Sequence, residues 1–112
     1  HLDADDGHRL IAECYRVLRP GASLIVTVPD LPALAQRWML GQIDDYIYLV
    51  NVYGAYQGLE GDRHKRGFHF GLLRDDLKEA APWSTVKAHD WRTIPGADVK
   101  RDWWILGVEA FK

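Results

Sequence analysis

The first apolar residues to recur at a regular interval are Leu10, Cys14, Val17 and Leu18. They stand at i, i+4, i+7 and i+8, which is one face of a helix. Asp3, Asp5 and Asp6 precede them and suit the positive end of that helix. Pro20 and Gly21 end it, because the residue before proline avoids helical geometry and glycine permits a left-handed exit. Leu24-Ile25-Val26-Thr27-Val28 follows at once. This short, β-branched, almost unbroken apolar run predicts a strand covered on both faces, as in a parallel sheet. A helix feeding such a strand through a tight turn is half of an α/β repeat.

Pro29-Asp30-Leu31-Pro32 breaks the strand. A short helix is predicted from about Pro32 to Leu40, with Leu34 and Trp38 on one face. A second carries Ile43, Ile47 and Val50, four and three apart. The stretch from Gly54 through Gly58 and Gly61 to Gly67 then reads as a loop. Leu72, Leu73 and Leu77 mark another helix, ending near Ala81-Pro82. Thr85 to His89 reads as a strand, Arg92 to Lys100 as a turn-rich loop, and Trp103 to Phe111 as a final strand. Trp103 and Trp104 are adjacent, so in a strand they face opposite sides.

The chain has 112 residues, enough for one small domain. Its apolar fraction is 47% and its charged fraction 27%, the composition of a soluble globular domain. The net charge of −2 argues against a nucleic-acid partner held by phosphate contacts. No apolar run approaches the roughly 20 residues of a membrane span. Cys14 is the only cysteine, so no intramolecular disulfide forms, which suits a reducing cytoplasm.

Candidate chemistry concentrates in the glycine-punctuated loop, since loops carry function more often than the scaffold they join. His64 and His69 are candidate bases for an acceptor hydroxyl or amine, because histidine titrates near neutral pH. Tyr53 and Tyr56 are candidates to line an acceptor pocket, although helical spacing also makes Tyr46 and Tyr53 packing residues. Asp30 stands just past the C-terminal end of a predicted strand, where open α/β sheets bind ligands. It either touches a substrate or caps the following helix. No carboxylate or cysteine joins the loop histidines at a ligand spacing, so no metal site is expected.

The string Glu13-Cys14-Tyr15-Arg16-Val17-Leu18-Arg19-Pro20-Gly21, running into Leu24 to Asp30, resembles class I S-adenosylmethionine-dependent methyltransferases. There a helix ending Arg-Val-Leu-Lys/Arg-Pro-Gly leads into the fifth strand of a seven-stranded sheet. His1-Leu2 resembles the Glu-His-Leu that follows the fourth strand. His64-Lys65-Arg66-Gly67-Phe68 resembles a subgroup with Pro-Asp-Leu after strand five, which Asp30-Leu31 also fits. The tryptophan-rich final strand, ending Glu109-Ala110-Phe111-Lys112, resembles the family's terminal hairpin strand. Ala22 replaces the usual second glycine of the turn, and Pro82-Trp83 replaces the usual Gly-Phe after the late helix.

The resemblance implies an α/β fold: the C-terminal half of a Rossmann-like methyltransferase, with strand five plus antiparallel strands six and seven. It implies methyl transfer from S-adenosylmethionine to an unidentified acceptor, a small molecule or saccharide, within a longer parent protein. His1 and Leu2 would lie beside the cofactor. The family's Gly-x-Gly-x-Gly loop and ribose-binding acid would precede His1, so the chain alone is not expected to bind S-adenosylmethionine. The strand at Leu24 to Val28 would keep an open edge and favour self-association or pairing with the missing half. The alternative is a non-catalytic binding or assembly module that retains half of the fold.

Overall fold

The computed structural model describes residues 1–55, 57–96 and 104–112. Helix α1 spans Ala4–Val17 and opens on Asp3, whose side chain accepts from the Asp6 amide. The acidic first turn predicted its start. Leu18 ends it in extended geometry, and Gly21 turns the chain at φ 83°. Strand β1 spans Ser23–Pro29. Helices α2 (Leu31–Met39) and α3 (Asp45–Tyr53) follow. A 3₁₀ turn at Glu60–Asp62 precedes α4 (Phe70–Ala80). Strand β2 covers Thr85–Ala88, and β3 covers Ile105–Phe111.

The result is a small α/β domain on a three-stranded antiparallel sheet, in the order β1-β3-β2. β3 lies between the other two and runs antiparallel to both, with Val26 opposite Val108 on one side and Ala88 opposite Val108 on the other. β1 and β2 therefore run parallel to each other without touching.

One sheet face carries Leu24, Val26, Val28, Val86, Val108 and Ala110, which pack against Leu73 and Leu77 of α4. Ile11, Tyr15 and Leu18 close this core from α1. A second cluster holds Leu34, Ile43 and Trp104, with Ile47, Tyr48 and Ile105 against it. It fixes α2 and α3 at the end of the sheet where β1 finishes and β3 begins.

Three expectations need correction. Leu18 packs on the core as predicted, but the rest of the inward face is Ile11 and Tyr15, one residue on from the predicted Leu10 and Cys14. One residue is about 100° of helix rotation. Leu10 and Val17 are accordingly 54% and 62% exposed. The cause is Tyr15, whose ring meets Trp83 edge to face at 4.9 Å and outweighs the smaller residues in setting the helix roll.

β1 is not a two-sided strand of a parallel sheet. It pairs antiparallel with β3, and no described helix covers the face that carries Ile25 and Thr27; Ile25 is 38% exposed. Its apolar run reflects one buried face and one half-open face. Tyr46 and Tyr53, expected on helical spacing to pack, are 73% and 65% exposed, because α3 turns Ile47 and Tyr48 inward instead. Trp103 lies outside the described residues, whereas Trp104 is buried in the second cluster.

Candidate functional site

Where β1 ends, the chain turns through Pro29 and Asp30 into α2. Phe68 meets Asp30 there in an isolated parallel bridge, and the Leu31 amide donates to the Phe68 carbonyl at 3.0 Å. Gly67 makes this approach feasible, since a Cβ on it would run into the Leu31 side chain. Farther along, Gly54 closes α3 at φ 90°, and a Cβ there would strike the Asp62 carbonyl. The Gly54 turn brings residues 62–64 back onto the end of α3, and the His64 amide donates to the Tyr53 carbonyl at 2.9 Å.

These two close approaches enclose a cleft of about 240 Å³ beside the C-terminal end of β1. His1, Asn51, His64 and Arg66 form its polar rim, and Val28 and Phe68 its apolar wall. His64 is half-buried, and its Nδ1 lies 2.7 Å from the Asn51 carbonyl. A carbonyl only accepts, so Nδ1 carries a proton, and in the neutral ring Nε2 holds the lone pair. That is the tautomer a general base needs. Asn51 is held in turn by its Nδ2, which donates to the Ile47 carbonyl at 2.8 Å. The His1 ring stands edge-on to His64 at 4.7 Å, and its Nδ1 lies 2.6 Å from the Gly61 carbonyl. Arg66 lies over the Phe68 ring at 5.1 Å and donates to Asp76.

The structure thus brings His1 and His64 together, across the length of chain that separates them. Leu2 lies next to them, along a shallow apolar groove between α1 and β1 that Leu10, Cys14 and Leu24 also line. Tyr53 is exposed and borders the outer side of the His64 loop. Tyr56 lies outside the described residues.

His69 stands apart from the cleft. Its Nδ1 accepts from the Gly71 and Leu72 amides, which makes it the N-cap of α4. Asp30 occupies the N-cap position of α2, yet its side chain makes no capping bond. Burial pushes its carboxyl above the usual carboxylate range, partly offset by the nearby Ala33 amide and by His69. Asn51 and Arg66 were missed by the sequence reading. Arg66 was within reach, since it lies inside the His64 to Phe68 string. Asn51 was not, because a lone asparagine in a helix has no spacing signal.

A second polar group lies on the open face of the sheet. Ser23 Oγ donates to Glu109 Oε1 at 2.7 Å, and His89 Nδ1 lies 3.1 Å from Glu109 Oε2. The Ser23 hydroxyl, then His89 and Lys87, hold the Glu109 carboxyl below its ordinary range. No described helix of the chain is long and apolar enough to cross a membrane. No known protein family, curated protein or solved structure matches this chain.

Proposed function

We propose that the chain is the acceptor-side half of an S-adenosylmethionine-dependent methyltransferase. The observation that carries this reading is the cleft at the C-terminal end of β1, with a half-buried histidine of fixed tautomer on its rim. In the parallel sheet that the resemblance implies for the longer parent, ligands bind at that edge of the strands. The β2–β3 antiparallel pair and the helix-turn-strand of Arg16 to Val28 agree with the family pattern the sequence resembles.

The residues present do not make a cofactor cradle on their own. Among the described residues no acidic side chain lines the cleft to hold ribose hydroxyls, and no glycine cluster opens a helix after a strand. This chain's own contribution is to the acceptor. Val28 and Phe68 exclude water from one side, Asn51 orients His64, and His64 Nε2 takes a proton from an acceptor hydroxyl or amine.

The test is methyl transfer from labelled S-adenosylmethionine, across small-molecule and saccharide acceptors, by a polypeptide that joins this chain to a glycine-loop half. Turnover that falls about 10²–10⁴-fold in His64→Ala, with unchanged cofactor affinity, is the expected result. A joined polypeptide that neither binds the cofactor nor transfers methyl overturns the reading. It leaves the assembly-module alternative, which the edge of β1, without a neighbouring strand among the described residues, favours.

A further inference from the structure

Away from the cleft, three side chains with metal-binding atoms meet where α1 packs on α4. They are His8 of α1 and Asp76 and Glu79 of α4, and their donor atoms all lie within 4.8 Å of one another. Asp76 and Glu79 are three residues apart and so share one helix face. Asp76 is buried, at 8% exposure, and its carboxylate is divided. Oδ2 accepts from Arg66, while Oδ1 faces His8 Nε2 at 3.5 Å. That ring nitrogen is buried and, among the described residues, makes no hydrogen bond.

A buried polar atom without a partner is costly and calls for a reason. The separation supplies one. At 3.5 Å, His8 Nε2 and Asp76 Oδ1 are too far apart for a good hydrogen bond. Two ligands of one tetrahedral zinc ion, each roughly 2.1 Å from it, stand roughly 3.4 Å apart. The geometry points to a divalent-cation site on His8 Nε2, Asp76 Oδ1 and a Glu79 carboxylate oxygen.

One imidazole and two carboxylates suit zinc, with water completing the tetrahedron; calcium and magnesium prefer oxygen alone. Glu79 is exposed and free to swing the remaining distance. Arg66 bonds the far oxygen of Asp76 and so fixes how that carboxylate presents Oδ1. A bound ion would clip α1 to α4 directly behind the wall of the groove that Asp76 and Arg66 line.

Cobalt(II) titration of the 112-residue chain tests the site through the intense d–d bands of tetrahedral coordination, with zinc displacing them. Zinc is also expected to raise the melting temperature, and magnesium at the same concentration is not. Glu79→Gln changes an exposed side chain and His8→Gln a half-buried one, and Asp76 with its Arg66 bond is kept in both. Each variant is expected to melt like the parent chain in chelator and to bind cobalt at least about tenfold more weakly. Bands that survive unchanged in both variants overturn the assignment and move the ion elsewhere, for instance to His1 and His64. Absence of any cobalt bands and of any zinc-dependent melting shift also overturns it.

Discussion

The ammonium of Lys112 donates to the carbonyls of Tyr15, at 2.7 Å, and Leu18, at 2.8 Å. It thereby satisfies carbonyls that α1 leaves open at its C-terminal end, where a positive charge is also favoured. It sits over the Tyr15 ring at 4.6 Å as well. Lys112→Met keeps the apolar stem and removes the donors. The expected loss is about 1–2 kcal/mol in denaturant unfolding. Hydrogen exchange is expected to quicken in the last turn of α1 before it does elsewhere.

The roll of α1 makes a paired prediction. Ile11 packs on the core, while Leu10 is 54% exposed. Ile11→Ala is expected to cost about 1–3 kcal/mol and Leu10→Ala less than about 0.5 kcal/mol. Leu77, fully buried, sets the upper end at about 2–5 kcal/mol for Leu77→Ala. Equal losses at Leu10 and Ile11 in chemical unfolding would restore the face that the i, i+4, i+7 spacing implied.

Asp30 and Glu109 respond to pH with opposite signs. The Asp30 carboxyl titrates above its ordinary value, so its ionised form disfavours the folded state. Its contribution to stability is full below about pH 3.9 and is lost as pH rises through the raised value. Asp30→Asn is therefore expected to stabilise the protein at pH 7 and to make no difference at acid pH. The Glu109 carboxyl titrates low, so its contribution is present above about pH 4.3 and lost as pH falls. Glu109→Gln is expected to destabilise at pH 7 only. Melting curves of both variants from pH 3 to pH 7 check the crossing.

Among the described residues, the outer edge of β1 has no strand against it apart from the Phe68 bridge at Asp30. Self-association is expected through this edge and the neighbouring apolar groove. Ile25→Lys places a charge on the open face of that strand and is expected to shift the sedimentation profile towards monomer. A parent chain that sediments as a clean monomer at high concentration, with both edges of β1 protected from exchange, contradicts this.

Local chemistry made most elements readable, because each boundary has its own cause. Asp3 caps α1, Pro20-Gly21 ends it, and Gly54 ends α3. The roll of α1 was not readable, since it depends on Trp83, far along the chain, meeting Tyr15. The direction of β1 was hidden for the same reason: an apolar run does not reveal which strand will pair with it. At the cleft, His64 was legible from its loop, whereas its partners are backbone carbonyls, which leave no trace in side-chain spacing. His69 shows the converse. A histidine in a suggestive position caps a helix because the amides of Gly71 and Leu72 are within reach. The meeting of His8 with Asp76 is a matter of how two helices pack, and no local pattern carries it.

The place of β3 in the middle of the sheet governs when the protein can fold. Both described pairings between strands use residues 105–111, and β1 must wait for them across a long span: Ser23 and Glu109, bonded in the finished sheet, are 86 residues apart. Within this chain α1 and β1 leave the ribosome well before β3, so Leu24, Val26 and Val28 wait for Val108 and Ala110. Closing such a span is slow, and the helices have to form and wait. Nascent chains stalled before residue 105 are thus the species in which chaperone binding or aggregation should concentrate.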